Sequence, residues 1–323
     1  MIAAVPLQNN SMTNPIQTQK YPQQFISIIL PVSLLLLGIG FISLAPIFTR
    51  LSEQEIGVNA TIFNRVWIAT IFLGFCNQIA GFIRPYSSQE DGDHEDTVFN
   101  HLGLLILSGI IDLACILLWA WSLEKTSVTN STLLHNLTPI FAVLGAWIFL
   151  KQSFNFKFII GLILASIGSS IIAFSDFQFS RQYLMGDSLA FLSAACYGIA
   201  YIVYEKLRQN LSATTLLFYN CCVRTIVVFP LALWKDPQLF PSSWQGWLTV
   251  IGLGILCQGF GHLLLIYSLK KFSAASVSLF LLLDPILTAI LAWLIFSEQL
   301  IFINWIAFVV VLVGIYYAHN ENV

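Results

Sequence analysis

The chain alternates long apolar stretches with short polar breaks. Reading for runs of about 20 apolar residues, the length that crosses a ~30 Å hydrocarbon core, gives ten spans: 26–47, 57–81, 100–121, 127–150, 156–174, 186–204, 212–234, 246–267, 274–296 and 302–318. None alternates polar and apolar positions with the period of two that a lipid-facing barrel strand requires. All are rich in Leu, Ile, Ala and Gly, so the pattern predicts an all-α integral membrane protein with ten transmembrane helices.

The polar breaks are equally informative. Residues 1–25 are rich in Gln, Asn, Thr and Pro and carry one Lys, the composition of a disordered cytoplasmic tail. They lack the basic flank and small-residue cleavage site of a secretory signal. The segment RPYSSQEDGDHEDTV (84–98) is an acidic, solvated loop, and the other connections are short. This leaves no extramembrane domain to carry a separate activity.

Residues 122–173 and 268–319 align without a gap. Pro139 falls on Pro285, Trp147 on Trp293 and Gly168 on Gly314. The chain therefore divides into two five-helix repeats, 26–174 with its acidic loop and 186–318. Five helices is an odd number, so the two copies must cross the membrane in opposite senses.

Composition agrees with this division: 57% of residues are hydrophobic and 9% charged, against about 25% charged in soluble proteins. The few cations set the topology, because Lys and Arg favour the cytoplasmic side. With the N-terminus inside, the inner segments hold Lys20, Arg84, Lys151, Lys157, Lys206, Arg208, Lys270 and Lys271, and the outer ones Arg50, Lys125, Arg181 and Lys235. Both termini are expected in the cytoplasm. An inverted repeat is the usual construction of a secondary transporter, since exchanging the conformations of two related halves opens a central site to each side in turn.

The stretches YSLKKFSAASVSLFLLLDPILTAILAWLIFSEQL (267–300), WSLEKTSVTNSTLLHNLTPIFAVLGAWIFL (121–150) and NRVWIATIFLG (64–74) resemble EamA-type members of the drug/metabolite transporter superfamily. The resemblance covers about residues 30–318. It implies ten helices in two inverted five-helix repeats, transport of amino acids, other metabolites or drugs, and a bacterial inner (plasma) membrane location. Two positions depart from the family pattern. The acid-Pro pair is Asp284-Pro285 where Glu is commoner, and the first copy ends in Lys151-Gln152 where Gly-Glu is common.

A charge at the centre of a membrane helix costs roughly 2.5–3.5 kcal/mol on insertion scales, so each needs a partner or a purpose. Asp112, Arg224 and Asp284 lie near the middle of the third, seventh and ninth spans, and Arg65, His135 and His262 lie deeper than interface anchors. Two readings stand side by side: fixed ion pairs between the two arginines and the two acids, or groups that bind and couple a cargo. Asp284 occupies the acidic position that the resemblance points to, and it is the candidate coupling or binding acid. Arg65 aligns with Arg224, and either guanidinium could grip a carboxylate or phosphate. Asp112 aligns with Gln258, and Ile116 with His262.

Pro139 and Pro285 each remove a helical hydrogen bond and free a carbonyl four residues earlier, on His135 and Leu281. Such a carbonyl inside a bilayer is resatisfied by protein or faces a wet cavity. Matched kinks beside His135, Asn136, Thr138 and Asp284 mark the expected lining of a translocation site, with Tyr197, Tyr201 and Asn220 able to complete it. Gly161, Ala165, Gly252, Gly254, Gly259 and Gly261 read as close-packing positions. Cys76, Cys115, Cys196, Cys221, Cys222 and Cys257 lack metal-ligand spacing and read as small apolar packing residues.

No HExxH, Walker-type glycine loop, GxSxG elbow or dinucleotide fingerprint occurs, and the histidines at 94, 101, 135, 262 and 319 are scattered. Neither an ATP-driven pump nor an enzyme is expected, and no cofactor, metal or nucleic acid. The function expected is an alternating-access secondary carrier for a small organic metabolite or drug-like solute, read as an exporter and open to proton coupling. An intramembrane sensor or enzyme built on Asp112, Asp284 and the histidines is the competing class. Oligomeric state leaves no trace in the sequence.

Overall fold

The computed structural model describes residues 21–83, 95–126, 128–173, 183–296, 300 and 302–319, and is helical almost throughout. The expected tail lies outside the described residues up to position 20, and residues 21–25 already belong to α1. The acidic loop lies outside them over 84–94, and its last residues open a short helix.

The first span is α1 (Tyr21–Ile42) continued by α2 (Ala45–Ser52), followed by α3 (Val58–Ile83), the short α4 (Glu95–Asn100) and α5 (Leu102–Leu123). The next is broken into α6 (Val128–His135) and α7 (Thr138–Leu150), and α8 (Phe156–Ala173) follows. The second half runs through α9 (Leu184–Leu207) and α10 (Ala213–Lys235) to α11 (Trp244–Ile251), a π-helical segment Gly252–Gly261 and α12 (His262–Ser268). It ends with α13 (Ala274–Phe280), a 3-10 turn Leu281–Leu283, α14 (Asp284–Phe296) and α15 (Phe302–His319).

Eight helical stretches among the described residues are long and apolar enough to cross a membrane. They coincide with eight of the ten expected spans. At the other two positions stand α8 and α15, each of 18 residues, whose apolar stretches Phe156–Ile171 and Phe302–Ala318 are shorter. The protein is an integral membrane protein. Its outer surface carries large apolar side chains such as Ile71, Phe75, Phe149, Ile226, Val309 and Leu312, as a surface that meets hydrocarbon must.

The two halves of the chain interleave. Helix α3 packs along α10, α5 along α9, α7 along α13, and α1 along the π segment and α12. The most extensive contact is α8 with α15, where small residues replace side-chain interdigitation. A Cβ on Gly161 would stand 2.5 Å from the Gly314 carbonyl oxygen, and one on Gly314 2.5 Å from the Ala165 nitrogen. Glycine is required at both positions because the backbones themselves touch.

Carboxylates from one half hold helix starts in the other. Asp236, at the end of α10, accepts from the Asn59 amide at 3.0 Å and from the Ala60 backbone N–H. Glu55 accepts from the Ser242 and Ser243 N–H groups at 3.2 and 3.1 Å and from the Ser243 hydroxyl, which holds its carboxyl below the usual range. At the opposite end of the bundle Glu205 accepts from the Ala274 N–H at the start of α13, in its own half, at 2.5 Å, and from the Gln152 amide of the first half at 2.6 Å. Each pairing satisfies donors that a helix start leaves without an intrahelical partner.

The π segment is not foreshadowed by the sequence. Its glycines permit close packing: a Cβ on Gly254 would meet Ile68 at 2.6 Å and one on Gly259 would meet Phe72 at 2.8 Å. The wider turn aims Cys257, Gln258 and His262 into the bundle, a common use of π-helical turns.

Candidate functional site

Three broken spans converge on one cavity of ≈ 190 Å³. All seven polar candidates, Arg65, Asp112, His135, Asn136, Arg224, His262 and Asp284, line it, together with Pro139, Thr138 and Tyr197. Pro285, Tyr201 and Asn220 do not. Tyr201 is buried in the packed core. Asn220 is fully buried and donates to the Tyr204 hydroxyl at 3.0 Å and more weakly to Ser108.

Each break rebinds its own carbonyl. The His135 oxygen that Pro139 frees accepts from the Thr138 hydroxyl at 2.7 Å. The Leu281 oxygen that Pro285 frees accepts from the Asp284 N–H across the 3-10 turn. A third break, at Ser43-Leu44, separates α1 from α2, with Pro46 in the first turn of α2, where its missing N–H costs nothing. Both Ile42 and Pro46 border the cavity.

Charge is distributed unevenly around the cavity. Arg224 and Asp112 form an ion pair, Nη1 to Oδ2 at 2.8 Å, with side chains 2% and 5% exposed. Arg65 is only partly buried and donates from Nε to the Gln258 Oε1 at 3.0 Å. Asp284 accepts from the Ser43 hydroxyl at 2.6 Å, while the Thr288 hydroxyl donates to the Ser43 carbonyl at 3.2 Å. Among the described residues neither Arg65 nor Asp284 makes an ion pair. Of the fixed pairs considered from sequence, only Arg224 with Asp112 is formed.

The histidines are oriented by acceptors. The carbonyl of Cys257 can only accept, so the His262 Nδ1 at 3.1 Å carries a hydrogen and Nε2 accepts from the Tyr197 hydroxyl at 3.4 Å. Ser193 donates to the Cys115 carbonyl at 2.8 Å, so its oxygen accepts from the His135 Nδ1 at 3.1 Å. That leaves the His135 Nε2 as an acceptor. The His135 ring stacks on Tyr197 at 5.7 Å between centroids and tilts against Trp119 at 6.1 Å. Beside it, the buried Asn136 Nδ2 has no hydrogen-bond partner among the described residues. The cavity thus offers an aromatic wall, an amide donor, a guanidinium and a carboxyl group.

Several hydroxyl residues of the site escaped the sequence reading. Thr49 and Ser278 line the cavity, while Ser43 and Ser193 stand behind it as partners of Asp284 and His135; such side chains in apolar helices more often serve packing. The run Ser43-Leu44-Ala45-Pro46 was the one signal that a break lay there. Of the tryptophans that could wall a cavity or face lipid, Trp119 lines the cavity, whereas Trp147 and Trp293 are exposed on the outer surface.

The model of the EamA-like transporter family matches the chain twice, over residues 29–174 and 184–318. An uncharacterized transporter of Archaeoglobus fulgidus is 25% identical over 279 residues, covering 84% of this chain and 90% of that protein. The uncharacterized transporter YxxF of Bacillus subtilis is 26% identical over 80% of this chain and 78% of its own length. An S-adenosylmethionine uptake transporter of Rickettsia bellii is 26% identical over 61% of this chain and 63% of that protein. A solved crystal structure matches with a TM-score of 0.73 at 15% identity, covering 88% of this chain and 98% of that chain, which is a likeness of fold.

Proposed function

The chain belongs to the EamA-like transporter family, and from that premise we propose that it is an alternating-access secondary carrier for a small organic solute. It is a membrane transporter and not an enzyme. The ten helical spans form two five-helix halves of opposite orientation, 26–174 and 186–318, with both termini in the cytoplasm of a bacterial cell. The helix contacts support this arrangement. Exchanging the halves maps α3 with α10 and α8 with α15 onto themselves, and maps α5 with α9 onto the contact between α1 and the π segment with α12.

The observation that carries the proposal is a cavity that gathers polar groups from both halves at helix breaks: His135 and Asn136 from the first, Asp284 from the second. Broken helices at mid-membrane supply polar backbone and side-chain groups to a cargo. The cavity's ≈ 190 Å³ equals the share of about six water molecules at ~30 Å³ each. It lies below the ~300–1,000 Å³ of drug-sized pockets, so a small metabolite fits this conformation best.

Asp284 is the candidate coupling acid, because its partner is a neutral hydroxyl and an ionisable group inside a membrane is the usual proton relay. We assign export as the direction. The Rickettsia relative is named for uptake, the opposite direction, and the following measurement decides between the two. Metabolite profiling of cells and medium, comparing wild type with Asp284→Asn at equal membrane abundance, should reveal a solute that accumulates outside only with the wild type. Counterflow of that solute in proteoliposomes then separates a carrier from a channel. An identical metabolite profile for wild type and empty vector would overturn the export reading.

A further inference from the structure

The two repeats hold equivalent arginines with equivalent partners, but the partners differ in charge. Arg65 aligns with Arg224, and Gln258 with Asp112. The folded chain joins the aligned residues across the halves in both cases: Arg224 with Asp112 at 2.8 Å, Arg65 with Gln258 at 3.0 Å. In the Arg224 pair a carboxylate cancels the guanidinium. In the other a neutral amide satisfies one hydrogen-bond donor and leaves the charge whole, because a guanidinium stays protonated in proteins.

Both arginines border the cavity, and the difference lies in what each has left to offer it. Arg224 is 2% exposed and spent on its counter-ion, whereas Arg65 is partly exposed. Gln258 binds Arg65 through Nε, so the Nη1/Nη2 edge, one of the edges that can meet a planar oxyanion with two parallel hydrogen bonds, is not engaged by it. Asp284 borders the same cavity but is held by Ser43 and makes no ion pair with Arg65.

We propose that the cavity selects a solute carrying a planar oxyanion, a carboxylate foremost, that Arg65 binds it, and that Gln258 sets this selectivity by being neutral where its counterpart Asp112 is charged. This rests on the carrier reading of the same cavity and adds the chemistry of its cargo. Gln258 is a positioning residue: it aims the guanidinium without competing for its charge.

The test uses the purified full-length protein and three probes of one shape: benzoate, benzamide and benzylamine. Thermal unfolding should shift upward in a dose-dependent way with benzoate and not with the neutral or cationic isostere. Gln258→Glu should give Arg65 an internal counter-ion and weaken benzoate at least tenfold while leaving the unliganded protein folded. Arg65→Gln should weaken it similarly, so the result does not depend on one variant folding. The proposal is overturned if benzoate gives no shift, if benzamide or benzylamine matches it, or if a folded Gln258→Glu binds benzoate as wild type does. Binding needs no flux, so carboxylate binding without counterflow would defeat the carrier reading alone. Counterflow of a solute without an oxyanion would defeat this inference alone.

Discussion

Asp112 and Asp284 border one cavity from opposite halves of the chain, yet they are kept in different ways. Asp112 is locked to Arg224 in an ion pair that excludes solvent from both groups. Asp284 has a serine hydroxyl for its partner, at the point where α1 is broken. A buried ion pair is a fixed structural element, because removing either member strands a charge in a medium of low polarity. A carboxyl held by a neutral hydroxyl can gain or lose a proton or a cargo contact without stranding a counter-charge on its partner. The two acids are alike in chemistry and border the same cavity, and it is the charge of the neighbour that separates the strut from the acid proposed to couple.

Breaking the strut should have the largest effect. Arg224→Leu leaves the Asp112 carboxylate buried without its counter-charge and should cost about 3–5 kcal/mol, seen as a large fall in thermal midpoint or failure to accumulate in the membrane. The double variant Asp112→Leu/Arg224→Leu should recover most of that loss. If it does not, the pair is more than a neutralising contact. Asp284→Asn should do the reverse: stability within about 1 kcal/mol of wild type, the scale of one hydrogen bond, with the pH-gradient dependence of flux abolished. Undiminished gradient dependence would place the coupling elsewhere.

Smaller changes sharpen the contrast. Thr138→Val removes the hydroxyl that serves the freed His135 carbonyl and should cost about 1–3 kcal/mol, the penalty of leaving a buried acceptor unpaired. A cost near zero would mean that the cavity wets that carbonyl. Ser43→Ala removes the hydroxyl partner of Asp284 and should cost about 1 kcal/mol, while altering the pH profile of flux more than its maximum. The smallest effect is expected at Glu55, outside the membrane spans. Its folded carboxyl is held below the ordinary range by the Ser243 hydroxyl and neighbouring N–H groups. The stability it contributes is therefore present above its unfolded pKa and lost as pH falls through the lower folded value. Glu55→Gln should flatten that acidic limb of a thermal-midpoint titration.

Much of this site is legible in the sequence because polarity in an apolar span is conspicuous. Arg65, Asp112, Arg224 and Asp284 stand out by what their burial costs, and Pro139 and Pro285 by the hydrogen bonds they delete. The repeat even indicates which arginine corresponds to which. What the sequence does not carry is partner choice: either arginine could have met either acid, and only packing decides that Asp112 takes Arg224 while Asp284 turns to Ser43. The π segment is equally silent, since glycines at 252, 254, 259 and 261 report close approach without reporting the width of the turn. Serine and threonine give the weakest signal of all, for they sit comfortably in apolar helices and acquire meaning only beside a broken backbone. Helix length is better foretold: hydropathy bounds the fifth and tenth spans at 156–174 and 302–318, and α8 and α15 have 18 residues each.

Those two short helices also constrain how the rest can move. Gly161 and Gly314 bring their backbones together so closely that a single methyl group has no room. One residue of sliding along a helix is about 1.5 Å, and a seam of such tolerance cannot slip by that amount without collision further along, where Gly168 faces Val311 at 2.8 Å from its would-be Cβ. On the proposed carrier cycle the pair is expected to act as an axle: what swings open around the cavity should do so about α8 and α15, with the stroke shared out among the broken helices.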